Sequence, residues 1–151
     1  MRLIIHENLK QEEAEIIINC REIDVRLQHL IRYIRQYSFS VEGKIKNQVY
    51  HIPLEDIYYM DCVDGKTFLY GEEQVYESKE RLSTLEKQLE QTSFLRVSKN
   101  CILNSMYLKS VCPLWNHRME ATLTNGEKVV ITRHYIRSLK EHLEKGRSKH
   151  V

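Results

Sequence analysis

The sequence predicts a mainly β, β-rich α+β chain. Short antiparallel strands close into a sandwich or barrel with two helices, preceded by a small N-terminal β-β-α unit. Three observations predict this. From Ser38 onward apolar residues recur with a period of two in short runs. Tight-turn dipeptides, Asp64-Gly65 and Asn125-Gly126, separate those runs. Helical spacing within this part is confined to the stretches around Leu82–Leu89 and 134–145. Many short strands at close spacing are the mark of a sandwich or barrel.

In chain order, Arg2–His6 and Glu15–Cys20 have the β-branched content of strands, with polar Glu7–Glu13 between them. Leu27, Leu30, Ile31 and Ile34 then fall at helical spacing over roughly 23–36. This 1–37 unit is too small for a core of its own and must dock on something; regulation or dimerisation is its expected role. It also leaves too little chain for a βα-repeat receiver domain. A boundary near Tyr37–Ser40 opens the main domain, 38–146, and 147–151 forms a tail. Phe39, Val41 and Ile45 are predicted to point one way. Val49–Ile52 is a second strand, ended by Pro53-Leu54-Glu55-Asp56, and Ile57–Val63 is a third. Asp64-Gly65 turns the chain into Lys66–Tyr70, and Gly71-Glu72-Glu73 leads to Gln74–Glu77. Ser78 is placed to N-cap a helix carrying Leu82, Leu85 and Leu89. Strands are expected at Met106–Leu114, Met119–Leu123 and Lys128–Thr132, with a turn near Trp115–Arg118. The closing helix carries Ile136, Leu139 and Leu143 on one side.

At 151 residues, one domain with a short appendage is the natural size. No apolar run approaches the roughly 20 residues needed to span a bilayer, and Met1–Glu7 lacks a signal-peptide core; a cytoplasmic location is expected. Four dispersed cysteines (Cys20, Cys62, Cys101, Cys112) without a C-x-x-C pair suggest neither a disulfide framework nor a zinc site. They read as buried free thiols, with a redox role for Cys101 kept open. No metal or cofactor is implied. The net charge of +2 conceals an asymmetry: residues 1–93 carry 12 Lys/Arg against 17 Asp/Glu, whereas 94–151 carry 11 against 4. An acidic body with a basic working end is the electrostatic footprint of nucleic-acid binding.

The most informative segment is Phe94–Asn104. Its flanks are apolar and its centre, Ser98-Lys99-Asn100, is polar and cationic. Two core-anchored segments holding a short polar tip toward an anionic partner account for that pattern, since unpaired polar groups inside a strand would be costly. The segment also resembles the core motif of LytTR-type DNA-binding domains. Ile52–Asp61, Tyr76–Leu82 and Thr132-Arg133-His134-Tyr135 with Leu139-Lys140 resemble further motifs of that family in order, so the likeness covers roughly 38–145. Thr132 departs mildly from the serine common there. The resemblance is to a stand-alone regulator without a receiver domain.

The resemblance implies a β-rich fold that inserts loops, not a recognition helix, into the major groove of duplex DNA. Carried over residue by residue, base contacts fall to Lys66, Thr67, Lys99, Asn100 and Arg133, whose side chains suit guanine O6/N7 or adenine N6/N7. Arg96, Ser98, Arg137 and Lys140 read as contacts to the DNA backbone, and Arg118 is within reach of it. A homodimer on DNA is expected. A small membrane protein as regulator is implied by the family alone. Blander readings stand beside these. Arg96 could pair with a carboxylate at the core rim, Arg137 and Lys140 could be a solvated helix face, and Asn104 could satisfy turn backbone groups. A single-stranded nucleic-acid binder of OB type is an alternative, as is a protein-interaction module. Catalysis is not expected, because no Gly-rich phosphate loop, G-x-S-x-G or H-E-x-x-H occurs.

Overall fold

A computed structural model of the protein describes residues 1–37 and 39–144, the last through its backbone only. The expected tail 147–151, the end of the last helix beyond 144 and Ser38 at the domain boundary lie outside the described residues. Ten strands and three helices follow in order: α1 (Val25–Tyr37), β1 (Ser40–Ile45), β2 (Gln48–Pro53), β3 (Tyr59–Val63), β4 (Lys66–Tyr70), β5 (Val75–Ser78), α2 (Leu82–Gln88), β6 (Phe94–Ser98), β7 (Cys101–Asn104), β8 (Leu108–Pro113), β9 (Met119–Leu123), β10 (Lys128–Ile131) and α3 (Arg133–Glu144). Single 3₁₀ turns at Leu54–Asp56 and Ser105–Tyr107 interrupt the strands. The strand-rich, antiparallel architecture agrees with the sequence.

Seven strands form one sheet in the order β2-β1-β5-β4-β3-β7-β6, and three form a second, β10-β9-β8. The period of two decides how they pack. On β7, Ile102 joins a core under α2 with Met60, Leu69, Leu82, Leu85 and Phe94. Its neighbour Leu103 joins a second core, with Val97, Ala121, Leu123, Ile131 and Leu139, beneath the small sheet and α3. Both faces of this edge of the large sheet are therefore covered, which explains the apolar runs in β6 and β7. Asp64 and Gly65 both have positive φ, 52° and 76°, as a type I′ hairpin requires. Gly43 permits close packing of β1: a Cβ there would lie 2.7 Å from Ile52 and Tyr76 side-chain atoms.

A buried polar junction ties α1 to the domain. The Asn104 side chain donates from Nδ2 to the Ile57 carbonyl (2.9 Å) and accepts at Oδ1 from the Met106 N–H (3.1 Å). The Ser93 hydroxyl lies 2.6 Å from Asn104 Oδ1 and 2.9 Å from Gln36 Oε1, and Gln36 also accepts from the Ser93 N–H at 3.0 Å. Asn104 thus holds the turn, N-capping the 3₁₀ segment that follows it. A second link runs from Arg32 of α1 to His142 of α3 at 3.5 Å, with the Ser105 hydroxyl 3.0 Å from the same imidazole nitrogen.

Several sequence expectations are corrected. No strand forms at Arg2–His6 or Glu15–Cys20, so the N-terminal unit has its helix but not its two strands. Strand propensity alone does not make a strand, which needs a partner for its backbone, and residues 1–24 are exposed throughout. Ser78 does not cap α2. Its hydroxyl accepts from Glu80 N–H (3.1 Å) in a local turn, and the helix starts at Leu82, after Arg81. Phe39 precedes β1 and is exposed. Cys20 and Cys112 are exposed, whereas Cys62 and Cys101 are partly covered.

Replacing Asn104 by Ala strands the Ile57 carbonyl and the Met106 N–H in the interior. The expected loss is about 2–4 kcal/mol, read as a lower urea midpoint by circular dichroism. Burial, reinforced by Asp61, pushes the Cys101 thiol up to about 12, with Arg96 opposing. A thiol at that value carries almost no thiolate near neutrality. Iodoacetamide at pH 8 should modify Cys112 in the native protein and Cys101 only after unfolding, as mass spectrometry of the peptides would show.

Candidate nucleic-acid interface

Strand register gathers the expected DNA-facing residues at one end of the molecule. Asp61 pairs with Cys101 across β3 and β7, and the Cys62 N–H donates to the Asn100 carbonyl at 2.9 Å. The β3–β4 turn at Asp64-Gly65 therefore lies beside the β6–β7 tip at Lys99-Asn100. On the other flank the Thr132 N–H donates to the Val97 carbonyl at 3.0 Å, which places the start of α3 next to the same tip. Ile131 faces Met119 across β9 and β10, so the turn before Met119, residues 114–118, joins this end as well. The Asn125-Gly126 turn, at the other end of β9 and β10, does not.

Lys66, Lys99, Asn100, Arg118 and Arg133 are all exposed in this group. Thr67 is not: it is buried between Cys62 of β3 and Ser78 of β5, because the side chain after Lys66 turns to the opposite face of the sheet. It is the one expected base contact that the structure keeps from the surface. On α3, Arg133, Arg137 and Lys140 are exposed at i, i+4 and i+7, forming a basic stripe that starts at the tip. Arg137 is paired with Glu141 at 3.2 Å. The α3 N-terminus also brings the positive end of the helix dipole to this end, its Tyr135 N–H being closed on the Thr132 carbonyl at 2.9 Å.

Arg96, expected as a contact to the DNA backbone, is engaged within the chain. Its side chain points to the α2 side of β6, where its Nη1 donates to Glu86 Oε1 at 3.0 Å. Its Nε donates to the Ser98 carbonyl at 2.9 Å, and Nη2 donates to the Lys99 carbonyl. One guanidinium thus clamps two successive carbonyls of the tip and anchors them to α2, with 14% of the side chain exposed. This is the pairing with a carboxylate that the bland reading foresaw, extended to the tip backbone. Ser98 also braces the tip, its Oγ accepting from the Asn100 N–H at 3.3 Å. A bulge between Arg96 and Ser98 lets β6 end there while Lys99 and Asn100 remain in solvent.

Behind the first turn, Tyr59 and Tyr70 stack with centroids 4.2 Å apart, and the Tyr70 hydroxyl donates to Asp61 Oδ1 at 2.9 Å. Burial raises the Asp61 carboxyl while that hydrogen bond lowers it. These groups stiffen β3 and β4 without reaching the surface set. Two residues escaped the sequence reading. Lys79, directly after Ser78, stands level with Lys66 because Ser78 pairs with Thr67; it is exposed, and Glu42 lies 3.9 Å away. Its position in the acidic half of the chain hid it. Trp115 is exposed at 86% in the 114–118 turn; a large aromatic beside His117 and Arg118 was the available signal.

A profile of the LytTr DNA-binding domain matches residues 47–144. The chain is 30% identical over 106 residues to the sensory transduction protein LytT of Enterococcus faecalis, covering 70% of this chain and 43% of the relative. It is 32% identical over 97 residues to LytT of Bacillus cereus, covering 64% and 39%. The chain therefore spans less than half the length of these LytT relatives. An uncharacterized HTH-type transcriptional regulator of Staphylococcus aureus is 27% identical over 145 residues, with 95% of this chain and 98% of the relative covered. Among solved structures, a LytTr DNA-binding domain from Bacillus cereus superposes with a TM-score of 0.66 at 24% identity, covering 70% of this chain and 97% of the other. That likeness establishes the fold. On the match across 47–144, this chain belongs to the LytTR DNA-binding domain family.

Proposed function

We propose that the protein is a transcriptional regulator that reads duplex DNA in the major groove with loops. The observation that carries this is the convergence of three turns and the α3 N-terminus at one end of the sheets, each exposing a cation or an amide. Lys66, Lys99, Asn100 and Arg133 reach base edges. Arg118, Lys140, Lys79 and Arg137 contact the phosphate backbone, the last by exchanging its Glu141 partner. Arg96, Ser98 and Thr67 do not touch DNA; Arg96 and Ser98 hold the tip in shape. The name HTH-type carried by the staphylococcal relative finds no counterpart in the geometry here, because strands separate the three helices.

Two copies on paired half-sites are part of this reading. Regulation by a small membrane protein, a cytoplasmic location and a non-catalytic mode of action follow from the family resemblance. No described helix is long and apolar enough to cross a membrane. The OB-type alternative is disfavoured by the surface. Stacking sites need exposed rings, and at this end Trp115 is the exposed large aromatic among the described residues.

Arg133→Ala should weaken binding to a specific duplex by roughly 1–3 kcal/mol and relax base preference at one position. Fluorescence anisotropy on specific and scrambled duplexes at one salt concentration reads both effects. Equal loss on the two duplexes would remove Arg133 from base reading, and stronger binding to single strands than to duplex would overturn the reading itself. Arg96→Ala should weaken binding about tenfold, or 1.4 kcal/mol, by loosening the tip. It should leave the salt dependence unchanged, whereas Lys140→Ala should reduce the slope of log K against log salt by about 1. A similar drop in slope for Arg96→Ala would show that its guanidinium contacts phosphate after all.

A further inference from the structure

Trp115 is the single tryptophan of the chain, and none of the base or phosphate contacts proposed above involves it. It is 86% exposed, whereas the next most exposed large apolar side chain of residues 39–144, Phe39, is 56% exposed. The ring does not sit on a loose loop. The Leu114 N–H donates to the Arg118 carbonyl at 2.8 Å, and the Arg118 N–H donates to the Trp115 carbonyl at 3.4 Å. The Arg118 side chain donates to that same carbonyl from Nε, also at 3.4 Å. Asn116 and His117 have φ values of 59° and 58°, the positive pair that a type I′ turn requires. A closed turn thus holds an indole out into solvent.

Strand pairing sets where the ring stands. Pro113 faces Met119, and Met119 faces Ile131, so this turn closes β8 and β9 where β10 passes into α3. Strand β8 lies two places from β10, which puts the turn about 10 Å to the side of the α3 start. The order along this end is the β3–β4 turn, the β6–β7 tip, the α3 start and the Trp115 turn. A major groove is about 12 Å wide. With Lys99 and Arg133 inside it, an indole that far to the side meets the groove wall, which is deoxyribose and phosphate. Charge favours the same occupant. No carboxylate occurs between Glu90 and Glu120, and Glu120 is paired with Lys128 at 3.7 Å. An apolar ring followed closely by His117 and Arg118 suits a surface that alternates apolar sugar with phosphate.

We infer that Trp115 is a further DNA contact, its indole packing against deoxyribose at the wall of the groove. This rests on the proposed duplex reading and adds an apolar clamp to its cations. The ring neutralises no phosphate and meets no base edge. It therefore strengthens binding without adding sequence preference or salt dependence.

With one tryptophan in the chain, its emission reports the contact directly. The probes are a duplex enriched by the full chain from a random-sequence pool, and a scrambled version of it. On binding, emission should move to shorter wavelength, and quenching by acrylamide should fall roughly twofold as the ring leaves solvent. Trp115→Ala should weaken binding to both duplexes alike, by about five- to tenfold, with the slope of log K against log salt unchanged. Trp115→Phe should recover part of that loss. Because the position is exposed, both variants should keep the wild-type far-ultraviolet spectrum and urea midpoint. A wild-type chain that binds duplex with its tryptophan unshifted and fully quenchable would overturn the inference. Trp115→Ala binding as tightly as wild type would do the same, as would a loss confined to the enriched duplex, which marks a base contact. A wild-type chain that binds no duplex would instead overturn the DNA reading, and this inference with it.

Discussion

The structure depends on the buried carboxamide of Asn104. An amide side chain removed from water must satisfy both its donor and its acceptor, or lose several times what a good hydrogen bond contributes. Here it joins the 3₁₀ segment before β3, through the Ile57 carbonyl, to the segment after β7, through the Met106 N–H. Through Ser93 it reaches Gln36 of α1. The two apolar cores meet along β7, whose alternate residues feed each of them, and Asn104 ends that strand. A polar cluster at such a place fixes register, because sliding β7 by one residue would exchange the two cores and leave the amide unpaired.

The same division of labour recurs at the tip. Ser98-Lys99-Asn100 must be polar to meet an anionic partner, but a polar tip in solvent has no packing to hold it. Arg96 supplies the rigidity by spending its donors on the tip carbonyls and on Glu86. A cation bound within the protein thus holds the exposed Lys99 and Asn100 in place. Ordering these groups in advance lowers the entropy lost on association, which is where pre-formed loops gain over flexible ones.

The N-terminal unit follows the opposite principle. Its helix is docked through the polar Arg32 and Gln36, while Leu27, Ile31 and Ile34 of its apolar stripe are partly covered and the apolar residues before Asp24 are exposed.

Much of this was legible in the residues. Period-two runs, Asp64-Gly65 and the polar interruption at Ser98–Asn100 gave the strands, the hairpin and the tip, since each reflects a local preference of backbone or side chain. The exposure of Lys66, Lys99, Asn100 and Arg133 agreed with the motif that carried them. Other features were not legible. Thr67 and Lys66 are neighbours in sequence, and only the direction of the pleat decides which one is buried. Arg96 has the composition of a phosphate ligand, and only the position of Glu86 one helix away turns it inward. Lys79 joins the basic end because β5 lies beside β4, a pairing that no local pattern announces. The strands expected before residue 24 have the propensity but no partner in the chain. By itself, then, the sequence determined the elements, the family and the cationic tip, all set by short-range preferences. Tertiary structure decided which cations face solvent and which brace the fold, because that depends on neighbours brought together from distant parts of the chain.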